Sequence, residues 1–348
     1  MPPWDKPAPA SVQKGETAKL KVLVTGGAGY IGSVVAASLI DNGHSVVVFD
    51  NLSKGNIHAV PKGATLVVGE LSDSAILQAT FREHRFDGVM HFAGFIEAGE
   101  SMELPEKYFR NNTCNTLALL EAMQEQDVKR LVFSSTAALY GNPQRIPIEE
   151  EDLLNPTNAY GESKLLAERI LDWSHRIHGL RSASLRYFNA AGASAHLGED
   201  HNPETHLIPI VLQVALGQRK SLSIYGTDYP TKDGTCVRDY IHVSDLASAH
   251  MLAFERLGKA AQPERLIYNL GNGRGFSVRE VIEVARRVTG HPIPAVETPR
   301  RAGDPAVLVA SSEKIRRELN WQPQHAQLEE IIRSAWEWRQ QNPHGYPE

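Results

Sequence analysis

Residues 20–32 read LKVLVTGGAGYIG, and this stretch decides the fold. Its first six residues are mostly Val and Leu, which is typical of a buried strand. Gly26, Gly29 and Gly32 then let the backbone turn sharply and come close to a bulky anion, and residues 34–40 follow as a predicted helix that ends at Gly43. A helix N-terminus directs free N–H groups and its dipole at such an anion. The stretch therefore predicts a strand, a glycine turn and a helix that hold a pyrophosphate group.

A second predicted strand, residues 45–49, ends in Asp50, about 20 residues after the last glycine of the turn. An acid at this point accepts hydrogen bonds from the adenosine ribose hydroxyls and repels a 2′-phosphate, which favours NAD over NADP. Glycine turns also serve plain strand-to-helix packing. The strand, the helix and the acid in this order favour a dinucleotide site instead.

The composition is that of a globular chain long enough for one large or two coupled domains: 348 residues, 42% hydrophobic and 22% charged. A formal net charge of −5 gives no basic footprint, so nucleic acid is not a predicted partner. No apolar run approaches the ~18 residues of a membrane span. Cys114 and Cys236 lack metal-ligand spacing, so no metal site is predicted, and they favour a reducing cytoplasm. Residues 1–18, without an apolar core, are interpreted as a flexible leader.

The first half of the chain alternates predicted strands and helices. The strands are 20–25, 45–49, 65–68, 88–92, 130–133 and 181–185, and the later helices are 73–83, 105–124 and 158–178. Each crossover has to bury its apolar side on the sheet, which predicts an α/β, Rossmann-type, doubly wound parallel sheet over residues 19–190. Residues 191–348 are predicted to form a smaller mixed α/β substrate-binding domain. A strand near 267–270 is expected to return to the large sheet.

Polar side chains follow the predicted strands at the edge where ligands bind in such sheets. Small residues around Ala93 leave room for a cofactor, and Thr136 follows the fifth strand. Tyr160 and Lys164 lie one helical turn apart and therefore on one face. A nearby ammonium lowers the pKa of a phenol, so this pair predicts a general base, and the Thr136 hydroxyl could contact both the phenol and a substrate hydroxyl. An amphipathic surface helix is the alternative. The order of these residues behind the cofactor turn favours catalysis.

These blocks resemble a known family. The sequences TGGAGYIG (25–32), FSST (133–136), YG (140–141) and YGESK (160–164) resemble the extended short-chain dehydrogenase/reductases. The sequences FDN (49–51), HFAG (91–94), LRYFN (185–189), GTCVRDYIH (234–242), YNLG (268–271), RAGD (301–304) and HGYP (344–347) are similar to UDP-hexose 4-epimerases within the NAD-dependent epimerase/dehydratase family. The resemblance covers residues 20–348.

The resemblance implies NAD-dependent 4-epimerisation of a UDP-hexose, UDP-glucose or UDP-galactose, through a transient 4-keto sugar. It implies Tyr160 as the base, assisted by Lys164 and Thr136. It also implies a homodimer that packs through the helices around 105–124 and 158–178. The implied NAD contacts are Gly26, Gly29, Tyr30, Ile31, Gly32, Asp50, Asn51, Leu52, Ser53, Gly55, Glu70, Leu71, Phe92, Ala93, Gly94, Asn111, Ser134, Tyr160, Lys164, Tyr187 and Phe188.

Substrate contacts are expected from the second half of the chain. Arg238 and Arg301 carry planar, permanently charged forks that suit a diphosphate, although each alone also suits surface ion pairing. The resemblance implies that both bind the nucleotide-sugar diphosphate. The full implied substrate set is Thr136, Tyr160, Asn189, His206, Leu207, Ser223, Tyr225, Arg238, Arg301, Asp304 and Leu308. In this set the Leu207 backbone and Tyr225 surround the uracil, and Asp304 lies near the ribose. His206 stands where some members carry Asn, and a satisfied loop histidine is an equal alternative.

Departures from the family pattern leave alternatives open. Glu70 replaces a common Asp beside the adenine, and Ile96 replaces a Lys found in some members. Leu308, at the position thought to limit sugar bulk, leaves UDP-N-acetylhexosamines, UDP-pentoses and UDP-uronates open. The physiological role stays open between galactose catabolism and polysaccharide precursor supply.

Two other functions share these motifs. A nucleotide-sugar 4,6-dehydratase needs an acid pair directly after Thr136, where this chain has Ala137-Ala138. A non-catalytic NAD-sensing protein is expected to lack Tyr160 or Lys164, and both are present.

Overall fold

Strands and helices alternate through the first half of the chain in the computed structural model, which describes residues 19–194, 196–301 and 304–347. The predicted leader, residues 1–18, lies outside the described residues. The strands are β1 (Lys21–Thr25), β2 (Ser45–Asp50), β3 (Thr65–Val68), β4 (Gly88–His91), β5 (Arg130–Thr136), β6 (Arg181–Tyr187), β7 (Asn189–Ala191), β8 (Leu222–Tyr225), β9 (Val237–His242), β10 (Arg265–Leu270), β11 (Gly275–Ser277), β12 (Ala295–Thr298) and β13 (Val307–Leu308).

Helices cover the sheet and build much of the second half. They are α1 (Tyr30–Asp41), α2 (Ser74–His84), α3 (Ala98–Ser101), α4 (Pro105–Tyr108), α5 (Asn115–Glu125), α6 (Ala159–His178), α7 (Leu207–Ala215), α8 (Val243–Lys259), α9 (Val278–Thr289), α10 (Glu313–Leu319) and α11 (Leu328–Gln341). Within the described ranges, no helix combines the length and the apolar character that crossing a membrane requires.

A parallel sheet of seven described strands lies at the centre, in the order β3-β2-β1-β4-β5-β6-β10. Strand β1 pairs with β2 on one side, Val24 opposite Val48, and with β4 on the other, Val24 opposite Met90. Such a strand is buried on both faces, which explains its continuous apolar run. The predicted doubly wound fold is confirmed. The strand order reverses between β1 and β4, and this switch point is where such folds bind dinucleotides.

Two helical layers cover the sheet. Helices α1 and α8 pack on one face, where Leu39 and Phe254 belong to one buried cluster. Helices α2, α5 and α6 cover the other face, where Phe81, Leu120 and Leu171 belong to a second cluster. Burial of the sheet on both sides holds the carboxyl ends of β1, β4, β5 and β6 at one edge of the sheet.

The second half forms smaller sheets and its own core. Strands β7, β9, β11 and β13 form one sheet, and β8 pairs with β12. Helices α7, α9 and α11 pack around a cluster that includes Val211, Val281 and Ile332. Strand β10 lies parallel to β6 at the edge of the large sheet, as expected for residues 267–270. The division of the chain at residue 190 stays a prediction.

The predicted helix 105–124 is interrupted. Residues Phe109–Cys114 are π-helical and separate α4 from α5. The wider turn brings the Asn112 side chain inward, where it accepts from the Phe95 amide (2.8 Å) and donates to the Phe95 carbonyl and to Ser163 Oγ (both 3.0 Å). A π-turn of this kind is common beside functional sites. It locks this helix to α6, which carries Tyr160.

Helix ends follow the predicted signals. Ser277 Oγ accepts from the Glu280 amide (3.1 Å) and Glu280 Oε2 accepts from the Ser277 amide (2.8 Å), which confirms the predicted capping box. Gly43 and Gly179 have φ of +86° and +68°, the left-handed conformation that glycine adopts without strain.

His91 is predicted to make the protein less stable in acid. It is 1% exposed and contacts Thr25 Oγ1 (2.6 Å) and Thr116 Oγ1 (3.0 Å). Burial, and then the charge of Lys164, lower its pKa to about 3. The unfolded chain therefore takes up a proton near pH 6.5 that the folded chain refuses, and stability is lost as the pH falls below that value. The free energy of unfolding of the parent should therefore fall between pH 7 and pH 5. In a His91→Gln variant this fall should be smaller by about 2 kcal/mol.

Urea titrations at the two pH values measure this difference. Replacing the exposed His58 with Gln is the control and should leave the pH dependence of the parent unchanged. Equal pH dependence in the parent and the His91 variant would contradict the prediction.

Candidate active site

The three positions of the predicted turn require glycine for different structural reasons. A Cβ on Gly26, whose φ is +71°, would lie 2.5 Å from the Ala93 amide nitrogen, and a Cβ on Gly32 would lie 2.2 Å from the Gly26 carbonyl oxygen. Glycine is therefore needed at both positions, because a side chain there would collide with neighbouring backbone atoms. A Cβ on Gly29 would meet only the Gly26 oxygen, at 3.3 Å, among the described atoms. Gly29 precedes α1 and faces the pocket, so its missing side chain leaves space for a ligand.

Replacing Gly29 with Ala is expected to weaken dinucleotide binding while the protein stays folded. The added methyl group fills the cradle, and overpacking of this size costs about 1–3 kcal/mol, about 5- to 150-fold in affinity. Gly32→Ala is the matched comparison and should destabilise the fold, because its Cβ meets backbone at 2.2 Å. Dinucleotide content and urea unfolding of both variants measure the two effects. Parent-like dinucleotide content in Gly29→Ala would show that this position does not face the ligand.

Asp50 ends β2 beside this turn. Its carboxylate accepts from the amides of Ala28 (3.0 Å) and Leu52 (2.9 Å), which fastens the turn to the loop after β2. Burial raises the pKa of Asp50, although those amides oppose the shift. Nearby, Asn51 Nδ2 donates to Glu70 Oε1 (2.7 Å). The acids at 50 and 70 therefore share one end of the pocket, as the sequence predicts for the adenosine end.

One pocket collects most of the predicted cofactor residues. It lies along the carboxyl ends of β1, β2, β4, β5 and β6. The predicted residues that line it are Gly26, Gly29, Tyr30, Ile31, Gly32, Asp50, Asn51, Ser53, Gly55, Glu70, Leu71, Phe92, Ala93, Gly94, Asn111, Ser134, Thr136, Tyr160, Tyr187, Phe188, Asn189 and His206. Leu52 and Lys164 do not line it. Leu52 has φ of +59° and turns its amide to Asp50, and Lys164 lies buried behind the wall.

Tyr160 and Thr136 meet in this pocket. Thr136 is the last residue of β5 and Tyr160 stands in the first turn of α6. Asn158 caps that helix by accepting from the Gly161 amide (2.8 Å), which fixes where Tyr160 enters. Lys164, 3% exposed, donates to the Ser134 carbonyl (3.0 Å). The base candidate is thus held by a strand end and a capped helix.

Burial has the largest effect on the pKa values of Tyr160 and Lys164. Desolvation raises the pKa of Tyr160 to about 12, the hydrogen bond with Thr136 acts to lower it, and the charge of Glu97 raises it. Burial lowers the pKa of Lys164 to about 8. Lys164 is not among the groups that shift the pKa of Tyr160 in this structure, where desolvation dominates, so a lowering of that pKa by Lys164 stays a prediction.

Four predicted substrate residues form two side-chain pairs outside this pocket. Arg238 forms an ion pair with Asp304, and its Nη1 donates to the Val237 carbonyl (2.8 Å). The Arg301 guanidinium lies over the Tyr225 ring, 3.9 Å from its centroid. None of these residues lines the cofactor pocket.

The remaining predicted substrate residues take separate positions. Leu207 is the first residue of α7, and Ser223 lies in β8, two residues before Tyr225. Leu308 pairs with Arg238 across two strands and packs on the buried cluster of Phe188. Phe188 itself lines the cofactor pocket, so Leu308 packs on a cluster that reaches the pocket wall.

Several pocket residues escaped the sequence analysis. They are Lys54, Phe95, Glu97, Asn115, Glu199 and His201. Glu199, His201, Glu204 and His206 form what we call the Glu/His cluster, in the irregular chain between β7 and α7. Four such side chains within eight positions were a detectable signal.

The side chains of this cluster shift one another's pKa values. Burial acts to lower the pKa of His206, but the charge of Glu199 and hydrogen bonds to both glutamates raise it to about 10. Burial acts to raise the pKa of Glu199, and His206 and His201 lower it to about 2. His206 is therefore a paired cation beside the pocket.

Known proteins resemble this chain over most of its length. Residues 22–271 match the NAD dependent epimerase/dehydratase family. A UDP-glucose 4-epimerase of Halalkalibacterium halodurans is 54% identical over 329 residues, 94% of this chain and 98% of the relative. A crystal structure of a UDP-glucose 4-epimerase superposes with a TM-score of 0.91 at 50% identity, over 94% of this chain and 100% of that one. The enzyme from Bifidobacterium longum in complex with NAD+ and UDP gives 0.89 at 39% identity, with coverage of 94% and 100%.

Proposed function

The chain belongs to the NAD dependent epimerase/dehydratase family, and from this premise we propose that it interconverts UDP-glucose and UDP-galactose by NAD-dependent epimerisation at C4. One observation carries the proposal: Tyr160 and Thr136 stand in the same pocket as the glycine cradle and Asp50. A proton-transferring phenol beside a dinucleotide site is what reversible oxidation of a sugar hydroxyl requires.

NAD fits the residues that line this pocket. The space at Gly29 and the N-terminus of α1 suit its pyrophosphate, and Asp50 suits the adenosine ribose. The phenyl ring of Phe92 and the small side chain of Ala93 leave room farther along the strand ends. Bound NAD supplies a hydride acceptor that is restored within each turnover, so the enzyme needs no second redox partner.

Tyr160 is the residue that moves the proton. As the phenolate it takes the proton from the sugar 4-hydroxyl as the 4-keto sugar forms, and as the phenol it returns that proton when the opposite epimer forms. The Thr136 hydroxyl, hydrogen-bonded to the phenol, orients that exchange and favours the phenolate. Lys164 adds positive charge beside the phenol and is fixed by the Ser134 carbonyl at 3.0 Å. Since burial raises the pKa of Tyr160 to about 12, the positive charges of the assembled site have to stabilise its anion.

The nucleotide is held apart from the reacting carbon. Arg238 and Arg301 bind the diphosphate, with Asn189 assisting at the pocket edge. Tyr225 and the Leu207 backbone contact the uracil, and Asp304 contacts the ribose. Because Arg301 covers one face of the Tyr225 ring, the uracil uses the other face or displaces the guanidinium. Tight binding of the nucleotide and loose binding of the sugar let the 4-keto intermediate present both of its faces.

A product assay tests the proposal. The purified protein is incubated with UDP-galactose without added NAD, and UDP-glucose is measured by chromatography. UDP-glucose supports the proposal. A dehydrated 4-keto-6-deoxy product would indicate a dehydratase, and bound NAD without any product would indicate a binding protein. The same assay with UDP-N-acetylglucosamine, UDP-xylose and UDP-glucuronate measures how far Leu308 limits the sugar.

We further propose that the enzyme is a cytoplasmic homodimer that pairs through α5 and α6. Leu120 and Ile170 pack in the core, whereas Leu117, Trp173 and Ile177 are 44%, 62% and 66% exposed. Apolar exposure of this kind on neighbouring helices is typical of an interface. Sedimentation equilibrium would give twice the chain mass. Both cysteines are free thiols, which is compatible with a reducing compartment.

A further inference from the structure

The Glu/His cluster brings two imidazoles and two carboxylates to one point. One ligand atom from each of its four residues lies within 4.8 Å of all the others. Both glutamates are 8% exposed, and their side chains point into the same space as the two histidine Nδ1 atoms. Among the described residues, this combination of burial and donor chemistry has no role in the proposed proton transfer.

Four separations between glutamate oxygens and histidine nitrogens in this cluster, 2.9 to 3.9 Å, lie near those of a tetrahedral metal site. Glu199 Oε1 lies 2.9 Å from His206 Nδ1 and 3.2 Å from His201 Nδ1. Glu204 reaches the same two nitrogens at 3.0 Å and 3.9 Å through its two oxygens. Metal bonds of about 2.0–2.1 Å in tetrahedral geometry place neighbouring ligand atoms about 3.3 Å apart. Small side-chain shifts would therefore complete the coordination.

Unsatisfied atoms point to a missing ligand. Within the part of the chain that the structure describes, Glu204 Oε2 is buried without a hydrogen-bond partner, and His201 Nδ1, although 3.2 Å from Glu199 Oε1, is not oriented to form a hydrogen bond with it. The Glu204 side chain is 2% exposed and its second oxygen faces His201 at 3.9 Å. A buried carboxylate oxygen without a partner is costly, and a cation at the centre of the cluster removes that cost.

We propose that the Glu/His cluster binds one divalent transition-metal ion, with Zn²⁺ the expected ion. Two imidazole nitrogens and two carboxylate oxygens suit Zn²⁺, whereas Mg²⁺ prefers six oxygen ligands and retains its waters. Because an imidazole ligates a metal in its neutral form, binding of the ion displaces the proton from His206 Nδ1. This site goes beyond the proposed epimerisation, which does not depend on it.

The bound ion fastens the loop before α7 to the pocket wall. Glu199, His201 and His206 line the cofactor pocket, and His206 directly precedes the first residue of α7. The loop already receives one hydrogen bond from Arg339 to the Glu199 carbonyl (2.8 Å) and one from Lys54 to the Asn202 carbonyl (2.8 Å). The ion cross-links the start of this loop, at Glu199 and His201, to its end, at Glu204 and His206.

Metal stoichiometry tests the proposal. The purified full chain, with its bound cofactor, is treated with a chelator, incubated with Zn²⁺ or Mg²⁺, passed through gel filtration and analysed by mass spectrometry of the metal. The expected result is about one Zn²⁺ and no Mg²⁺ per chain. Loss of an outer-shell partner alone weakens metal binding about 10- to 100-fold, so Glu204→Gln and His201→Gln should each weaken Zn²⁺ binding more than about 100-fold.

A matched control and a second measurement keep the result unambiguous. His325, 39% exposed like His206, pairs with Glu330 elsewhere on the surface, and His325→Gln should bind Zn²⁺ like the parent. Circular dichroism and cofactor content show whether each variant is folded. If neither folds, protection of His201 and His206 by Zn²⁺ against diethyl pyrocarbonate, read by mass spectrometry on the parent, replaces the comparison. Zinc below stoichiometry in the parent, parent-like binding by a folded Glu204→Gln, or no protection would overturn the proposal.

Discussion

Replacing Tyr160 with Phe is expected to lower turnover of UDP-galactose by about 10²- to 10⁴-fold, the usual contribution of a positioned acid–base group. The phenyl ring keeps its place in α6 and in the pocket wall, so bound NAD should remain at the parent's level. The loss arises because the hydroxyl that Thr136 orients is gone, and the hydroxyls of the other tyrosines that line the described pocket, Tyr30 and Tyr187, bond to the Gly192 carbonyl and to His250 instead. Steady-state turnover and the cofactor absorbance of the same preparation measure both quantities.

Tyr108 supplies the control for this variant. Its ring lies edge-on to Tyr160, with centroids 6.5 Å apart, and its hydroxyl donates to Glu100 (2.8 Å). Tyr108 does not line the pocket, and its hydroxyl reaches the pocket residue Glu97 only by a longer hydrogen bond (3.3 Å). Tyr108→Phe therefore removes a buried hydroxyl from the same neighbourhood but keeps the base, and turnover should stay in the parent's range. Turnover by Tyr160→Phe at the parent's rate, or an equal loss in both variants, would contradict the assignment of the base.

Replacing Arg186 with Met should destabilise the fold by about 3–5 kcal/mol, because it leaves a charge buried without its partner. Arg186 and Glu168 are both 2% exposed at the side chain and pair through two hydrogen bonds of 2.8 and 3.0 Å. Burial acts to lower the pKa of Arg186, but Glu168 outweighs it and raises that pKa well above the usual value. The pair joins β6 to α6, and Glu168 also accepts from Ser135 in β5 (2.6 Å).

Urea unfolding measures this loss. Arg333→Ala, which removes an exposed pair with Glu329, should change the free energy of unfolding by less than about 1 kcal/mol. A double variant, Arg186→Met with Glu168→Leu, should recover most of the loss, since no charge is left buried. A loss of similar size in Arg186→Met and Arg333→Ala would contradict the argument.

The main features of the site were predictable because they depend on local sequence. The glycine turn, Asp50 and the capped helix with Tyr160 each follow from a few neighbouring residues, and parallel topology then brings their strand ends together. The short strands β7, β11 and β13 left no periodic pattern. They form only because β9 lies beside them, and pairing of that kind is not encoded in two or three residues.

Other features depend on residues far apart in the chain. The π-helical turn at Asn112 exists because Phe95 and Ser163 supply its partners. The pKa of Tyr160 follows from desolvation in the assembled pocket, and sequence spacing to Lys164 did not reveal that. The Glu/His cluster needed the loop to fold back so that its four side chains converge.

Local sequence patterns were enough to predict the sheet, the dinucleotide turn and the candidate pair for proton transfer, because hydrophobic period, glycine spacing and helix capping act over a few residues. The depth at which the phenol is buried, the pairing of each arginine with its acid, and the meeting of two histidines with two glutamates became visible only in the folded chain. Those properties depend on distance and exclusion of water between segments that are remote in the chain, and no local pattern records them.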